Sequence, residues 1–271
     1  MTDNKEKVFS GIKSLNIDNI PNIINDLYNN GKAKIIDKSL DKKLYENTFI
    51  DLGDVIARYK QGYLYKVEWD KRINGVENPT RRQLMALDVL YDDNIMLVSL
   101  FGKAGVGKTT LAVNSAVDQA ISGSYSKIIL SRPKKQRKLD EGFGYLPGEL
   151  DNKYKPFNAP FYDNLYMQTS LEFETLPLAS IQGRSLDDSI WIITEFQDVR
   201  PEDTKLIIGR AGKNTKVIIE GDIEQHSDNQ LTKKHNGLVH VINELKESKL
   251  TATVELDKVK RSPLAKLANK L

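Results

Sequence analysis

This chain is built around the run Asn94-Ile95-Met96-Leu97-Val98-Ser99-Leu100-Phe101-Gly102-Lys103-Ala104-Gly105-Val106-Gly107-Lys108-Thr109-Thr110-Leu111-Ala112. Its first part, residues 96–101, is a short apolar run, which is typical of a parallel strand covered on both faces. Residues 102–109 match the pattern G-x-x-x-x-G-K-[ST] at every fixed position, directly after that strand. The run therefore predicts a buried strand, a phosphate-binding loop and the start of a helix.

Each fixed residue type in this loop has a physical role in nucleotide binding. The glycines let the backbone turn tightly, so that its N–H groups approach phosphate oxygens. The helix that follows adds unpaired N–H groups and the positive end of its dipole. Lys108 can reach the β- and γ-phosphates, and Thr109 can ligate Mg²⁺. A plain glycine turn is the alternative, but a match of this length in this context disfavours it. We expect ATP and Mg²⁺ to bind at Gly102, Lys103, Ala104, Gly105, Val106, Gly107, Lys108, Thr109 and Thr110.

The composition limits the class of protein. A length of 271 residues allows one or two domains, and 39% hydrophobic with 28% charged residues is ordinary for a soluble globular protein. No apolar run is long enough to span a bilayer, and no signal-peptide pattern opens the chain, so we expect no membrane partner. The chain has no cysteine, which excludes disulfides and thiolate sites and agrees with a cytoplasmic location. A net charge of +3 is too small to indicate nucleic acid by itself.

Predicted strands and helices alternate from about residue 84 onward. This pattern predicts an α/β fold of the P-loop NTPase type, with a parallel sheet and helices on both of its faces. Before it, residues 49–52, 55–59 and 63–67 predict short strands joined by glycine turns, and residues 20–28 predict a short helix. We expect a small β-containing extension or linker at residues 1–54 and a P-loop ATPase domain at residues 55–271.

The second buried strand is predicted at residues 127–130, and a basic run follows it. At the carboxyl end of a parallel strand such a run faces the ligand crevice, where cations can contact nucleic-acid phosphates. The alternative is a solvated charge run without a ligand. The candidate nucleic-acid contacts are Arg132, Lys134, Lys135, Arg137 and Lys138.

A series of short motifs accompanies the glycine loop in a fixed order. They are Ser131-Arg132-Pro133, Gly144-Tyr145-Leu146-Pro147-Gly148, Tyr162-Asp163-Asn164-Leu165, Gly183-Arg184-Ser185, Glu195-Phe196-Gln197, Arg210-Ala211-Gly212, Gly221-Asp222-Ile223-Glu224-Gln225, Asn236-Gly237-Leu238 and Lys260-Arg261-Ser262. Together with residues 102–109, the series resembles the PhoH family of P-loop ATPases, which has relatives among the superfamily one RNA helicases. The resemblance extends over roughly residues 55–271.

The resemblance implies ATP hydrolysis coupled to single-stranded RNA by a homo-oligomer, proposed as a hexameric ring. By position, Gln197 and Gln225 match glutamines that sense the γ-phosphate or a water molecule. Arg210 and Arg261 are candidates for stabilising charge on the transferring phosphoryl group, although either could instead form a surface salt bridge. In helicase-like ATPases a glutamine placed like Gln83 can contact adenine with its amide. On the sequence alone, an exposed glutamine at a helix start is the favoured alternative.

The family often carries this ATPase domain behind a PIN ribonuclease domain. Residues 1–54 are similar to the linker that would follow such a domain. They are too few to form one, and they contain no evident acidic metal cluster. A naturally short member of the family and a fragment of a longer protein both fit this pattern.

The sequence departs from the family pattern at the end of the third buried strand. There the family has Asp-Glu-Ala-Gln, whereas this chain has Thr194-Glu195-Phe196-Gln197. A threonine lacks the charge with which a carboxylate holds a hard cation, so Thr194 is at most a weak Mg²⁺ ligand. Glu195 is still placed to orient or deprotonate the attacking water, and Asp222 is a carboxylate that could compensate. Nucleotide binding is therefore a firmer expectation than fast hydrolysis.

Two other functions remain open at this stage. One is a module that binds ATP and then RNA or a partner, with little or no turnover, which Thr194 favours. The other is a P-loop kinase acting on a small molecule. The sequence shows no lid-like arginine cluster, and the segment Gly221-Asp222-Ile223-Glu224-Gln225 suits helicase-type ATPases better.

Overall fold

A computed structural model of the protein describes residues 8–14, 20–35, 44–69, 73, 75–133, 159, 161–166, 171, 173–226 and 230–258. The first part of the chain forms a small five-stranded sheet with one helix. Its elements are β1 (Ile12–Lys13), α1 (Ile20–Asn30), β2 (Lys32–Lys34), β3 (Phe49–Asp51), β4 (Ile56–Lys60) and β5 (Tyr63–Lys66). The strand order is β1-β3-β4-β5-β2, in which only β1 and β3 are parallel. The predicted boundary between residues 54 and 55 lies in the turn that joins β3 to β4.

The second part of the chain forms a six-stranded parallel sheet. Its elements are α2 (Arg81–Leu90), β6 (Leu97–Phe101), α3 (Lys108–Ile121), β7 (Lys127–Ser131), β8 (Phe173–Thr175), β9 (Ser189–Ile193), α4 (Thr204–Ile208), β10 (Thr215–Gly221), α5 (Gly237–Leu245) and β11 (Thr251–Glu255). The strand order is β11-β6-β10-β9-β7-β8, and every pairing is parallel. The predicted α/β fold with a small N-terminal β region is confirmed. The predicted closing helix at residues 263–271 lies outside the described part of the chain.

Helices cover both faces of the large sheet, and alternate side chains of each strand point to opposite faces. Side chains on both faces are therefore buried. On one face, Val98, Leu100 and Ile218 pack with apolar residues of α2 and α3. On the other face, Trp191 and Ile219 pack with apolar residues of α4 and α5. This explains the near-continuous apolar runs in the sequence. None of the helices in the described ranges is long and apolar enough to cross a membrane.

A buried lysine of β10 contacts the C-terminal end of α2. Lys216 Nζ donates hydrogen bonds to the carbonyl oxygens of Leu90, at 2.6 Å, and Asp92, at 3.1 Å. Lys216 is only 1% exposed. The last carbonyls of a helix lack partners within the helix, so this ammonium group satisfies one of them.

The N-terminal region covers the outer edge of β11. The Glu255 backbone N–H donates to the Ser10 carbonyl at 2.9 Å. The Asn47 side-chain amide donates to the carbonyls of Lys249 and Thr251 at 3.1 and 3.0 Å. Gly11 has φ +74°, and a Cβ there would come within 1.6 Å of the Thr253 carbonyl oxygen, so only glycine fits this contact.

Candidate functional site

The predicted phosphate-binding loop lies between β6 and α3. Gly107 caps the N-terminus of α3 with φ 93°, a conformation that favours glycine. Lys108 Nζ donates to the carbonyl oxygens of Gly102, at 2.8 Å, and Lys103, at 3.1 Å. The lysine is therefore folded over its own loop, at the place where phosphate oxygens would offer it stronger, charged acceptors.

The hydroxyl of Thr109 meets a carboxylate that the sequence analysis missed. Thr109 Oγ1 donates to Glu220 Oε1 at 2.6 Å, and Glu220 is only 3% exposed. Its second oxygen, Oε2, is buried without a hydrogen-bond partner. Burial raises the pKa of the Glu220 carboxyl, against the opposing effects of the Lys108 charge and the Thr109 hydrogen bond. The available signal was an acidic residue directly after the apolar run of residues 217–219, at the carboxyl end of a parallel strand.

Glu195 is held in place by two neighbours just beyond the end of β9. Its Oε1 accepts a hydrogen bond from Arg132 at 3.2 Å, and its Oε2 accepts one from Gln197 Nε2 at 2.6 Å. Gln197 Oε1 in turn accepts from the Asp222 backbone N–H at 3.2 Å, which joins the ends of β9 and β10. Asp222 Oδ1 accepts from the Glu224 backbone N–H at 3.0 Å.

Two adjoining cavities open around the loop. The larger, about 720 Å³, is lined by the loop, the start of α3 and the segments around Gly75, Gln83 and Tyr166. The smaller, about 170 Å³, lies between the loop and the ends of β9 and β10. The predicted site residues that line one or both are Gln83, Ala104, Gly105, Gly107, Lys108, Thr109, Thr110, Glu195, Asp222 and Gln225. Their chemical roles stay predictions.

The donor set at Thr109 and Glu220 fits Mg²⁺. A hydroxyl and a carboxylate are the hard oxygen ligands that this ion prefers, and the unpartnered Glu220 Oε2 is a buried atom that a cation would satisfy. Across the described ranges, no group of three or more His, Cys, Asp and Glu residues could hold a metal ion by itself. An ion here would therefore take most of its ligands from nucleotide phosphates and water.

Gln83 is buried, so the alternative of an exposed helix-start glutamine is wrong. Its Oε1 accepts from the Thr80 backbone N–H at 2.9 Å, and its Nε2 donates to the Val106 carbonyl at 3.1 Å. The first contact completes a capping box with Thr80 at the start of α2, and the second fixes the phosphate-binding loop. The contact with adenine stays a prediction.

A segment that sequence analysis did not connect to the loop closes one wall of the larger cavity. Thr110 Oγ1 donates to Asn164 Oδ1 at 2.6 Å, and Asn114 Nδ2 donates to the Asn164 carbonyl at 2.7 Å. Asn114 Oδ1 accepts from the Tyr166 backbone N–H at 3.1 Å. These contacts attach residues 161–166 to α3 and place Tyr166, which is 62% exposed, at the wall of the cavity.

The remaining predicted site residues are spread more widely. Thr194 is buried directly after β9, and the Thr109 hydroxyl is bonded to Glu220 instead. Arg210 follows α4, lines neither cavity, and has a buried Nε without a hydrogen-bond partner. Of the basic run, Arg132 is described and contacts Glu195. Lys134, Lys135, Arg137, Lys138 and Arg261 lie outside the described residues.

A family model described as "PhoH-like protein" matches residues 75–271. The chain belongs to the PhoH family. The predicted family is thus confirmed, and the geometry above is that of a PhoH-family chain. Protein PhoH2 of Bacillus subtilis is 31% identical over 293 aligned positions, which cover 99% of this chain and 65% of that protein. Protein PhoH2 of Mycolicibacterium smegmatis is 32% identical over 240 positions, covering 84% of this chain and 54% of that protein. The chain thus spans about half to 65% of these PhoH relatives.

Two solved structures show a distant likeness to this PhoH chain. The SWI2/SNF2 ATPase core of Sulfolobus solfataricus in complex with double-stranded DNA has a TM-score of 0.40 at 12% identity. That match covers 68% of this chain and 40% of the other. The Pif1 helicase of Candida albicans has a TM-score of 0.35 at 11% identity, covering 66% of this chain and 40% of the other. The assignment to the PhoH family rests on the family match and the site geometry, and not on these two solved structures.

Proposed function

We propose that this protein is an ATPase that binds ATP with Mg²⁺ at residues 102–109 and couples hydrolysis to single-stranded RNA. One observation supports the ATPase part above the others. Lys108, Thr109, Glu195 and Glu220 line one small cavity at the carboxyl ends of β6, β9 and β10. A cation for the phosphates, a hydroxyl for the metal and a carboxylate for the water are the groups that phosphoryl transfer needs.

The residues divide the chemistry between them. The loop N–H groups and Lys108 bind the β- and γ-phosphates, and Mg²⁺, when bound with ATP, neutralises the charge that develops on the phosphate oxygens. Glu195 orients the attacking water and accepts its proton, while Arg132 and Gln197 fix the glutamate by the hydrogen bonds at 3.2 and 2.6 Å. Gln225 lines the same cavity, which supports a contact with the γ-phosphate or the water.

The coupling to RNA is supported by the position of Arg132. This residue belongs to the basic run that follows β7, and its guanidinium is paired with Glu195. An RNA phosphate that binds the run competes with Glu195 for this guanidinium and so changes how the glutamate is held. We also propose that the protein works as a homo-oligomer in the cytoplasm, with a hexameric ring as the assembly that the family resemblance implies.

A second candidate function is an ATP-dependent RNA- or partner-binding module with little turnover. The observation that favours it is Thr194, an uncharged residue at the position where the family pattern has a metal-binding aspartate. Both candidate functions predict nucleotide binding. The ATPase predicts phosphate release, and the binding module predicts little of it.

The experiment measures ATP affinity and steady-state phosphate release, each with and without single-stranded RNA at low and high salt. We expect ATP binding that Lys108→Ala weakens by at least about tenfold, which corresponds to about 1.4 kcal/mol. We also expect RNA-stimulated phosphate release that falls as salt rises. The matched control is Lys205→Ala, which removes an exposed lysine of α4. We expect it to leave ATP affinity and phosphate release unchanged.

Equal ATP affinity in wild type and Lys108→Ala would reject the nucleotide site. Binding without phosphate release would leave the second candidate function. Phosphate release that RNA neither stimulates nor inhibits at low salt would reject the coupling alone.

A further inference from the structure

The strongest unexplained feature of the site is the free oxygen of Glu220. A carboxylate at 3% exposure normally has both oxygens hydrogen-bonded, because an unpartnered buried charge is costly. Here Oε1 accepts from Thr109, and Oε2 is buried without a partner. Within the protein alone, this carboxylate is therefore incompletely satisfied.

The sheet order explains why β10 can deliver a carboxylate to this place. The strand β10 lies directly between β6, which leads into the loop, and β9. Glu220 pairs with Leu100 of β6, and both side chains point to the face covered by α3. Thr194 follows the pair formed by Ile193 and Ile219, which puts it beside Glu220 but one strand further from the loop. Neighbouring strands are about 4.8 Å apart, so a carboxylate on β10 starts that much closer to Thr109.

We propose that Glu220, supplied by β10, is the acidic residue that holds Mg²⁺ beside Thr109, in place of a carboxylate at Thr194. The inference deepens the proposed ATPase function and rests on it. The Thr109 oxygen can give a lone pair to the ion while its proton still bonds to Glu220 Oε1, so the observed hydrogen bond is compatible with the metal-bound state. Oε2 then contacts the ion, directly or through one of its waters. The missing charge at Thr194 is thereby replaced from the adjacent strand.

The test measures metal binding rather than turnover. The probe is Mn²⁺ in the presence of ADP, followed by the electron paramagnetic resonance signal of free Mn²⁺. Fluorescent ADP in excess EDTA gives the nucleotide affinity without metal. The variants are Glu220→Gln, which removes the charge at constant shape, and Asp222→Asn, which does the same for the carboxylate two residues further on. Thr194→Asp is then added to Glu220→Gln.

We expect Glu220→Gln to weaken Mn²⁺ binding by at least about tenfold, while metal-free ADP binds equally well or more tightly because one negative charge near the phosphates is gone. Asp222→Asn lowers the Mn²⁺ affinity less than Glu220→Gln does. Thr194→Asp in the Glu220→Gln background recovers a measurable part of the loss. Thermal unfolding checks the fold, and the neutral amide at 220 is expected to be at least as stable as the buried carboxylate.

Unchanged Mn²⁺ affinity in Glu220→Gln overturns the inference. A loss in Asp222→Asn but not in Glu220→Gln also overturns it, in favour of Asp222. A loss that Thr194→Asp does not reduce overturns it too, since general damage to the loop then explains the result. Wild-type protein that binds ADP neither with nor without metal rejects the proposed function itself, and the inference with it.

Discussion

At the residue scale, Glu195 combines a strained backbone with a defined set of partners. Its φ of 55° lies in the left-handed region, which is uncommon for a residue other than glycine. Such conformations persist where the surroundings over-determine them, and they cluster at functional sites. Arg132 and Gln197 are the side chains that fix the carboxylate here.

Glu195→Gln is expected to lower phosphate release by at least about a hundredfold, because an amide cannot accept the proton of the attacking water. The Mn²⁺ and ADP affinities stay within about twofold, since the metal contact is assigned to Glu220. Phosphate release and fluorescent-ADP binding on the same samples check both statements. Glu244→Gln on the exposed side of α5 serves as control. Full activity in Glu195→Gln would remove this residue from the mechanism.

Sequence motifs predicted much of the site at this scale, but not its acidic partner. Lys108, Thr109 and Gln225 each belong to a recognisable pattern and line one cavity, and their roles stay predictions. Glu220 is not among the predicted site residues. Only the order of the strands brings it to Thr109. The order of parallel strands depends on tertiary packing, which a single sequence does not specify.

At the element scale, Lys216 makes the junction between β10 and α2 sensitive to pH. Burial lowers the pKa of Lys216 to about 8, against the opposing charges of Asp93 and Asp92. The unfolded chain, with the ordinary lysine pKa of about 10.4, therefore binds more protons than the folded chain between these values. By linkage, the contribution of this group to stability rises with pH across that window, and it is lost as pH falls through about 8.

Comparison of wild type with Lys216→Met isolates this effect, since methionine does not titrate. From pH 7.5 to pH 10, the difference in free energy of unfolding is expected to shift in favour of wild type by about 2 kcal/mol. The neutral amine can still donate to the Leu90 and Asp92 carbonyls. Urea unfolding at several pH values gives the difference, with the exposed Lys213→Met as control. Parallel pH profiles for wild type and Lys216→Met would contradict the prediction.

Sequence patterns predicted most strands of the two sheets but missed some of the shortest. The strands at residues 96–101 and 127–130 and those at 49–52, 55–59 and 63–67 were expected within a residue or two of their observed bounds. The edge strand β8 has three residues and was not predicted. So short a segment shows no periodicity, and it becomes a strand only because β7 offers it a partner.

At the scale of the whole molecule, buried charges join the N-terminal sheet to α2. Arg58 of β4 is buried, its Nε lies 3.1 Å from Asp88 Oδ2, and its guanidinium also donates to Asp92. Lys60 Nζ lies 2.8 Å from the same Asp92 oxygen. The two parts that the sequence separated at residue 54 are therefore in direct contact, and the hairpin of β3 and β4 crosses that boundary.

Arg58→Met is expected to lower the free energy of unfolding by about 3 kcal/mol, because it leaves the half-buried Asp88 carboxylate without its cation and leaves Asp92 with Lys60 alone. Arg81→Met is the matched control. It breaks a second contact between the N-terminal sheet and α2, the 2.6 Å pair with Asp51, but there the side chains are about 40% exposed. An exposed pair contributes under about 1 kcal/mol. Urea unfolding of the three proteins measures both losses, and equal losses would show that burial does not decide the strength of these contacts.

The cover on the outer side of β11 also decides how far the chain can be shortened. The family model matches residues 75–271, which suggests a shortened protein that contains these residues alone. That version would lack Ser10, Gly11 and Asn47, the residues that lie against the outer backbone groups of β11. An uncovered strand of this kind is a template for pairing with another molecule. The N-terminal region thus covers an edge at which strands of two molecules could otherwise pair, and we expect the trimmed protein to aggregate through this edge.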